Sequence, residues 1–141
     1  MKERSQPPPP DPDAGTYAGR SVARRFVSPE GFVVLVGRTA ADNDVLTFKL
    51  AAPHDLWLHV AAESGSHVVI RNPDRLDKLP RDTVRYAAAL AARHSRARDG
   101  GRVAVHVARQ ADVSKPRGFA PGKVQLRRYE TVHARAADAA E

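Results

Sequence analysis

The sequence predicts an α+β domain, in which an antiparallel sheet built of hairpins packs against one long amphipathic helix beside a short capped helix. Three observations carry that prediction. Short runs rich in β-branched and aromatic residues recur between glycine, proline and serine turns. One segment after Pro80 sets Val84, Ala87, Ala88, Ala91 and Ser95 on a single face at helical spacing. And 141 residues suffice for one domain with a tail, burying roughly two-thirds of the unfolded surface.

Residues 1–20 read as a disordered leader, because Pro7-Pro8-Pro9-Pro10 favours an extended polyproline stretch and its neighbours offer little to bury. The folded domain is expected over residues 21–135. Arg25-Phe26-Val27-Ser28 and Gly31-Phe32-Val33-Val34-Leu35-Val36 predict a hairpin around a Ser28-Pro29-Glu30-Gly31 turn. Gly37 ends its second strand. Asp42 or Asn43 is suited to cap a short helix running to about Leu50, with Val45, Leu46 and Phe48 on its apolar side.

Leu56-Trp57-Leu58-His59-Val60 and Ser66-His67-Val68-Val69-Ile70 predict two strands joined by a Glu63-Ser64-Gly65 turn. Pro80 suits the first turn of the long helix, and Gly100-Gly101 is expected to stop it. From Arg102 to Ala108, Val103, Val105 and Val107 alternate with Ala104, His106 and Ala108, which predicts a strand with one buried face. A glycine- and proline-rich loop follows over 115–123. Val124 to Leu126 and Tyr129 to Ala134 then predict a closing hairpin, and residues 136–141 a frayed tail.

The chain has no cysteine, which excludes disulfides, thiolate metal sites and a cysteine nucleophile. No apolar run approaches the ~20 residues that span a bilayer, and the polar, proline-rich start is no secretory signal, so a cytoplasmic location is expected. The formal net charge is +7. It is concentrated in residues 21–128, where nineteen basic residues face ten acidic ones. A basic folded domain attracts phosphate backbones and gains by releasing their counterions.

Nucleotide-binding loops, the nucleophile elbow and the His-Glu-x-x-His zinc motif are all absent. No cofactor and no metal site is therefore expected, and none of the six histidines pair at ligand spacing on a helix. Gly37-Arg38 leading to Asn43-Asp44 is either an anion-binding helix start or an ordinary strand-to-helix turn. Alternation puts Asp55, Trp57 and His59 on one face and Leu56, Leu58 and Val60 on the other. Trp57 there either stacks an unpaired base or fills the core. Lys115, Arg117 and Lys123 stand on a stiff loop; Arg85, Arg93 and Arg96 form a stripe along the long helix. Sequence alone does not say whether stripe and loop share a surface.

Taken in order, these blocks resemble the RNA-binding (NFACT-R) domain of the ribosome quality-control NFACT proteins. Phe26-Val27-Ser28 with Gly31, Val36-Gly37-Arg38 with Asn43-Asp44, Asp55-Leu56-Trp57-Leu58-His59-Val60, Gly65-Ser66-His67-Val68-Val69-Ile70, Ala87 to Ser95, and Val113-Ser114-Lys115-Pro116 with Gly118 and Pro121-Gly122 carry the resemblance from Arg25 to Val132. It implies a non-catalytic RNA-binding module whose partner is transfer RNA or ribosomal RNA on the large subunit. The RNA contact it implies runs through Arg38, Asn43, Asp44, Asp55, Trp57, His59, Ser66, His67 and Lys115. The basic side chains Lys49, Arg71, Arg85, Arg93, Arg96, Arg117 and Lys123 extend that candidate set. The full-length proteins' tailing of stalled nascent chains is not expected here, since 141 residues leave no room for their other domains.

Two other readings stand beside this one. The first is an RNA-processing enzyme in which Asp55, His59 and His67 perform acid–base chemistry. The second is an adaptor that docks on a ribosomal or RNA-modifying protein partner.

Overall fold

Both faces of the central sheet are covered, and each inner strand divides its side chains between them. The computed structural model describes residues 6–139. Two short strands, β1 (Thr16–Tyr17) and β2 (Arg20–Ser21), precede β3 (Ala23–Val27) and β4 (Val33–Gly37). Helix α1 (Ala40–Val45) runs into a π turn over Leu46–Leu50. Then come β5 (Leu56–Val60), β6 (Val68–Ile70), helix α2 (Arg81–Arg93) and β7 (Arg102–Arg109). Two small strands, β8 (Val113–Ser114) and β9 (Gln125–Leu126), and the edge strand β10 (Glu130–Arg135) complete the chain. The main sheet has the order β10-β7-β5-β6-β4-β3 and is antiparallel throughout. The predicted α+β class is the one observed.

Val34, Val36, Leu58, Val60, Val68, Ile70, Val105 and Val107 point to one face and pack under the alanine-rich side of α2, around Leu90. Leu35, Trp57, Val69 and Ala108 point the other way and pack with Leu46, Leu50, Val22 and Val113. Central strands buried on both sides read as continuous apolar runs, as in Val33–Gly37 and Val68–Ile70. Alanines let α2 lie close on the sheet; Ala87 through Ala92 are all buried.

Several expectations are corrected. The 11–20 segment is not a disordered leader. Asp11 caps a turn through its carboxylate and bridges Thr16, and Arg71 ion-pairs with Asp13 while Arg20 ion-pairs with Asp42. The leader's first five residues lie outside the described residues. The short helix is capped by Thr39, whose Oγ1 accepts from the Asp42 amide at 3.1 Å, rather than by Asp42 or Asn43. Strand β6 starts at Val68 rather than Ser66 because the Ser66 amide donates to the His94 carbonyl instead. Helix α2 stops at Arg93, well before Gly100, for the same reason. Its end exchanges hydrogen bonds with the β5–β6 connection, Ser66 N to His94 O and Arg96 N to Ser64 O, both 2.9 Å.

The closing hairpin does not form either. Strand β9 pairs with β8, and β10 pairs with β7. The 102–108 strand has one face under α2, while Ala108 is buried on the other. The tail is not frayed over 136–139: Ala136 and Ala139 are buried. Its last two residues lie outside the described residues.

The contact between α2's end and the β5–β6 connection depends on Gly65. A Cβ there would sit 2.7 Å from Ser95 Cβ and 3.1 Å from Ser95 Cα. Neither is the end of a flexible side chain, so relief requires backbone movement. Gly65→Ala is expected to lower unfolding stability by about 1–3 kcal/mol, as measured by thermal or denaturant unfolding, whereas Gly101→Ala, with nothing within 4 Å of its Cβ position, loses only the strain of its positive φ.

Candidate functional site

The π turn aims Thr47 into the sheet's second face, where it meets Trp57 and His67. Trp57 Nε1–H donates to Thr47 Oγ1 at 3.2 Å, and Thr47 Oγ1 lies 2.7 Å from His67 Nδ1. His67 Nε2 lies 2.9 Å from the carbonyl oxygen of Gly122. A carbonyl only accepts, so Nε2 carries the proton and Nδ1 accepts from the Thr47 hydroxyl. The tryptophan, the hydroxyl and the imidazole thus form one directed chain ending on the 115–123 loop.

That loop is fastened from its other side by Asp44 and Lys115. Gly122 N–H donates to Asp44 Oδ1 at 3.1 Å, and Lys115 Nζ reaches Asp44 Oδ2 at 3.1 Å. Lys115 also donates to the carbonyls of Ala120 and Lys123, at 2.6 and 2.9 Å. Asn43 holds the sheet end of the same knot: its Oδ1 accepts from the His67 amide at 3.0 Å. A Cβ on Gly37 would sit 1.9 Å from that Oδ1, so the glycine makes room for the asparagine. Ser66 Oγ donates to the Gly37 carbonyl at 2.7 Å.

Between this loop and the sheet lies an open cleft of about 810 Å³. Trp57, His59 and His67 line its inner wall; Arg96, His106, Lys123 and Tyr129 line it further out. His59 and His106 are direct cross-strand partners. Tyr129 is 52 % exposed and its ring centroid is 4.4 Å from that of His106. Burial lowers the His59 imidazole below its ordinary value, against hydrogen bonding to the Val60 and Gly65 backbone. Burial also pushes His67 down to about 4. Both rings are neutral at pH 7, and Lys123 and Arg96 bring positive charge to the cleft, against Glu63.

The predicted site residues separate into three groups. Asn43, Trp57, His59, His67, Arg96 and Lys123 line the cleft, so Arg96, which lies just past the end of α2 rather than on it, shares a surface with the loop, and the rest of the expected stripe does not. Asn43, Asp44, Ser66, His67 and Lys115 build it, their polar atoms satisfied within the fold. Trp57 is 2 % exposed and belongs to the core under α1, so its ring is no open stacking platform.

Other candidates lie elsewhere. Asp55 is fully buried; its carboxylate accepts from Arg71, the Asn72 amide and the Ala52 amide. Asp55 does not line the cleft that holds His59 and His67, so the three groups of the enzyme reading are not brought together there. Arg71 is spent on Asp55 and Asp13. Arg38 is exposed and donates to Ser21 Oγ at 3.1 Å; the Thr39 cap and the Asp42 carboxylate occupy the helix start that it was read to extend. Lys49, Arg93 and Arg117 are exposed outside the cleft lining, and Arg85 lines a second cleft beyond it. His106 and Tyr129 escaped the sequence reading, because only the β5–β7 register and the β10 pairing bring them to His59. Among the described residues, no cluster of His, Cys, Asp or Glu is arranged to hold a metal ion, and no helix is long and apolar enough to cross a membrane.

The His67 latch gives a pH dependence of known sign. An unfolded histidine takes up a proton below about 6.5, whereas folded His67 stays neutral down to about 4. In that interval the unfolded chain binds more protons, so stability falls as pH falls. The midpoint of thermal unfolding is expected to drop between pH 6.5 and about 4. His67→Gln, which has no proton to gain, is expected to unfold earlier at pH 7 but to show a shallower decline across that window.

Residues 23–128 match the family described as the NFACT protein RNA binding domain. The chain is 40% identical over 115 residues to the Rqc2 homolog RqcH of Streptococcus suis, and 37% identical over 111 residues to that of Bacillus subtilis. These alignments cover 80% and 79% of this chain but only 20% and 19% of the relatives, so the chain spans about a fifth of their length. It is also 32% identical over 74 residues to the ribosome quality control complex subunit 2 of Schizosaccharomyces pombe, covering 52% of this chain and 7% of that protein. The solved structure of the C-terminal part of the fibronectin/fibrinogen-binding protein from Streptococcus suis superposes with a TM-score of 0.76 at 34% identity, over 82% of this chain and 46% of that one. By the extent of the match and the shared fold, the chain belongs to the NFACT RNA-binding domain family.

Proposed function

We propose that this domain is a non-catalytic RNA-binding module that contacts transfer RNA or large-subunit ribosomal RNA in ribosome quality control. The observation that carries the reading is the cleft beneath the latched loop, where neutral imidazoles and an exposed tyrosine stand among Arg96 and Lys123. Cations hold a phosphate chain, and rings and imidazole nitrogens contact unpaired bases. Family membership and the ribosome quality-control names of the relatives support the same reading. A latched loop adds to it: a cleft wall fixed before binding costs little ordering when the ligand arrives.

In this reading Lys115 and Asp44 act by holding the loop, and Arg96 and Lys123 act on the ligand. Substituting both of the latter with alanine is expected to weaken RNA binding across sequences and to flatten the dependence of log affinity on log salt by roughly 0.7 per lost phosphate contact on a single strand, with no change in the unfolding midpoint. Titration of labelled RNA at several salt concentrations measures both. Crosslinking in the native cells followed by sequencing of the bound RNA is expected to enrich transfer RNA or one large-subunit site; an unenriched profile would count against the module's assigned partner.

A further inference from the structure

A second cleft of about 1140 Å³ opens between the first turns of α2 and the β7–β10 edge of the sheet. Its lining includes seven Lys and Arg side chains against three carboxylates, Asp77, Asp112 and Glu130. Some of the cations are consumed by the fold. Arg127 holds Asp112 at 2.7 Å, and Arg109 donates to the His54, Leu76 and Asp77 carbonyls. Arg81, Arg102 and Arg128 are exposed and make no ion pair among the described residues. Three guanidiniums held on a helix start, a strand start and the β9–β10 connection stand without an ion pair in a cleft whose seven cations outnumber its three carboxylates, which leaves a net positive field. A polyanion is the ligand that such a field fits.

Tyr129 connects this cleft to the first. It lines both, it is half exposed, and its ring leans on His106 of the first cleft. Arg128 precedes it and belongs to the second cleft. A nucleotide whose base stacks on Tyr129 thus has cations on either side, Lys123 and Arg96 one way and Arg128 the other, while Arg102, paired with Arg135 at the far end of the β7–β10 ladder, lies further along the second cleft. A paired base has its faces covered by its neighbours in the helix and cannot use such a ridge; an unpaired base can.

We infer that the two clefts are halves of one path for a single strand of RNA, with Tyr129 as the stacking ridge between them, so that the domain selects unpaired RNA long enough to cross the ridge. The inference rests on the RNA-binding reading and adds the ligand's strandedness and a second binding surface. Tyr129 and the whole of β10 lie beyond the residues 23–128 that match the family.

The test uses the 141-residue chain and fluorescently labelled oligouridine of about four and about twelve nucleotides, with a fully paired RNA of the longer length for comparison. The long strand is expected to bind more tightly than the short strand or the duplex. Tyr129→Ala is expected to weaken it about tenfold, the scale of losing one stacked base, while Tyr129→Phe retains binding. Arg102→Ala with Arg128→Ala is expected to weaken the long strand and leave the short strand unchanged. Each variant's unfolding midpoint is compared with the parent, and Tyr129→Phe guards against a loss due to misfolding. Parental affinity for the long strand in both Tyr129→Ala and the double-arginine variant, with loss only in Arg96→Ala and Lys123→Ala, overturns the two-cleft path and leaves the RNA reading intact. Tight duplex binding insensitive to Tyr129→Ala also overturns it. Binding of polyglutamate but not RNA at the second cleft overturns it in favour of an acidic protein segment. Absence of RNA binding by the parent removes the RNA reading itself and this inference with it.

Discussion

The hydrogen bond from His67 Nε2 to the Gly122 carbonyl joins two parts of the chain 55 residues apart and fastens to the sheet the loop that walls the cleft. On its sheet side the imidazole is fixed by Thr47 and, through Thr47, by Trp57. On its loop side Gly122 is fixed again by Asp44, which Lys115 holds in turn. Each group in this chain has its partner, and no buried side-chain polar atom lacks one among the described residues. In a dry interior an unmet donor or acceptor costs about 1–3 kcal/mol. The members therefore stabilise one another's positions, and a loop of glycines and prolines, with little surface to bury, holds a single conformation.

The π turn is what makes this arrangement possible. The Ala51 amide bonds to the Leu46 carbonyl at 2.9 Å, five residues back, so the turn is wider than an α-helical one. The Thr47 carbonyl takes a bond from Gln110 Nε2 at 2.8 Å instead of an amide within the helix. One short segment thus supplies Leu46 and Leu50 to the second core, and the Thr47 hydroxyl to the polar chain. The same segment covers the sheet and polarises the imidazole that anchors the loop.

Local structure was legible in the sequence; pairing across distance was not. Alternation located the strands and the face of α2, because period 2 and period 3.6 are written in consecutive residues. The glycine positions were legible as motifs, though their reason was not: Gly37 answers Asn43, and Gly65 answers Ser95, thirty residues on. The end of α2 was misjudged since its stop lies in bonds to Ser64 and Ser66 rather than in Gly100. Likewise nothing near Val124 says that β9 joins β8, or that β10 crosses to β7. Of the site, the polar blocks were found, but alternation placed Asp55 with Trp57 and His59. Asp55 precedes the strand and turns its carboxylate to Arg71 and the backbone around Ala52 and Asn72.

Reading cations from a sequence also confounds two roles that the fold separates. A guanidinium or ammonium whose donors are already met by carboxylates and carbonyls gains little from a phosphate, because it must first give up bonds of similar worth. Lys115, with two carbonyls and Asp44, and Arg71, with two carboxylates and a side chain only 14% exposed, are of this kind. They hold the loop and the ends of β5 and β6 in place. Arg96, Arg102 and Arg128 are exposed instead, and a phosphate meeting them would displace water and release counterions from the polyanion rather than displace a protein partner. The formal charge of +7 therefore hides the division: in the proposed reading the exposed cations meet the ligand on ground that the buried ones hold still.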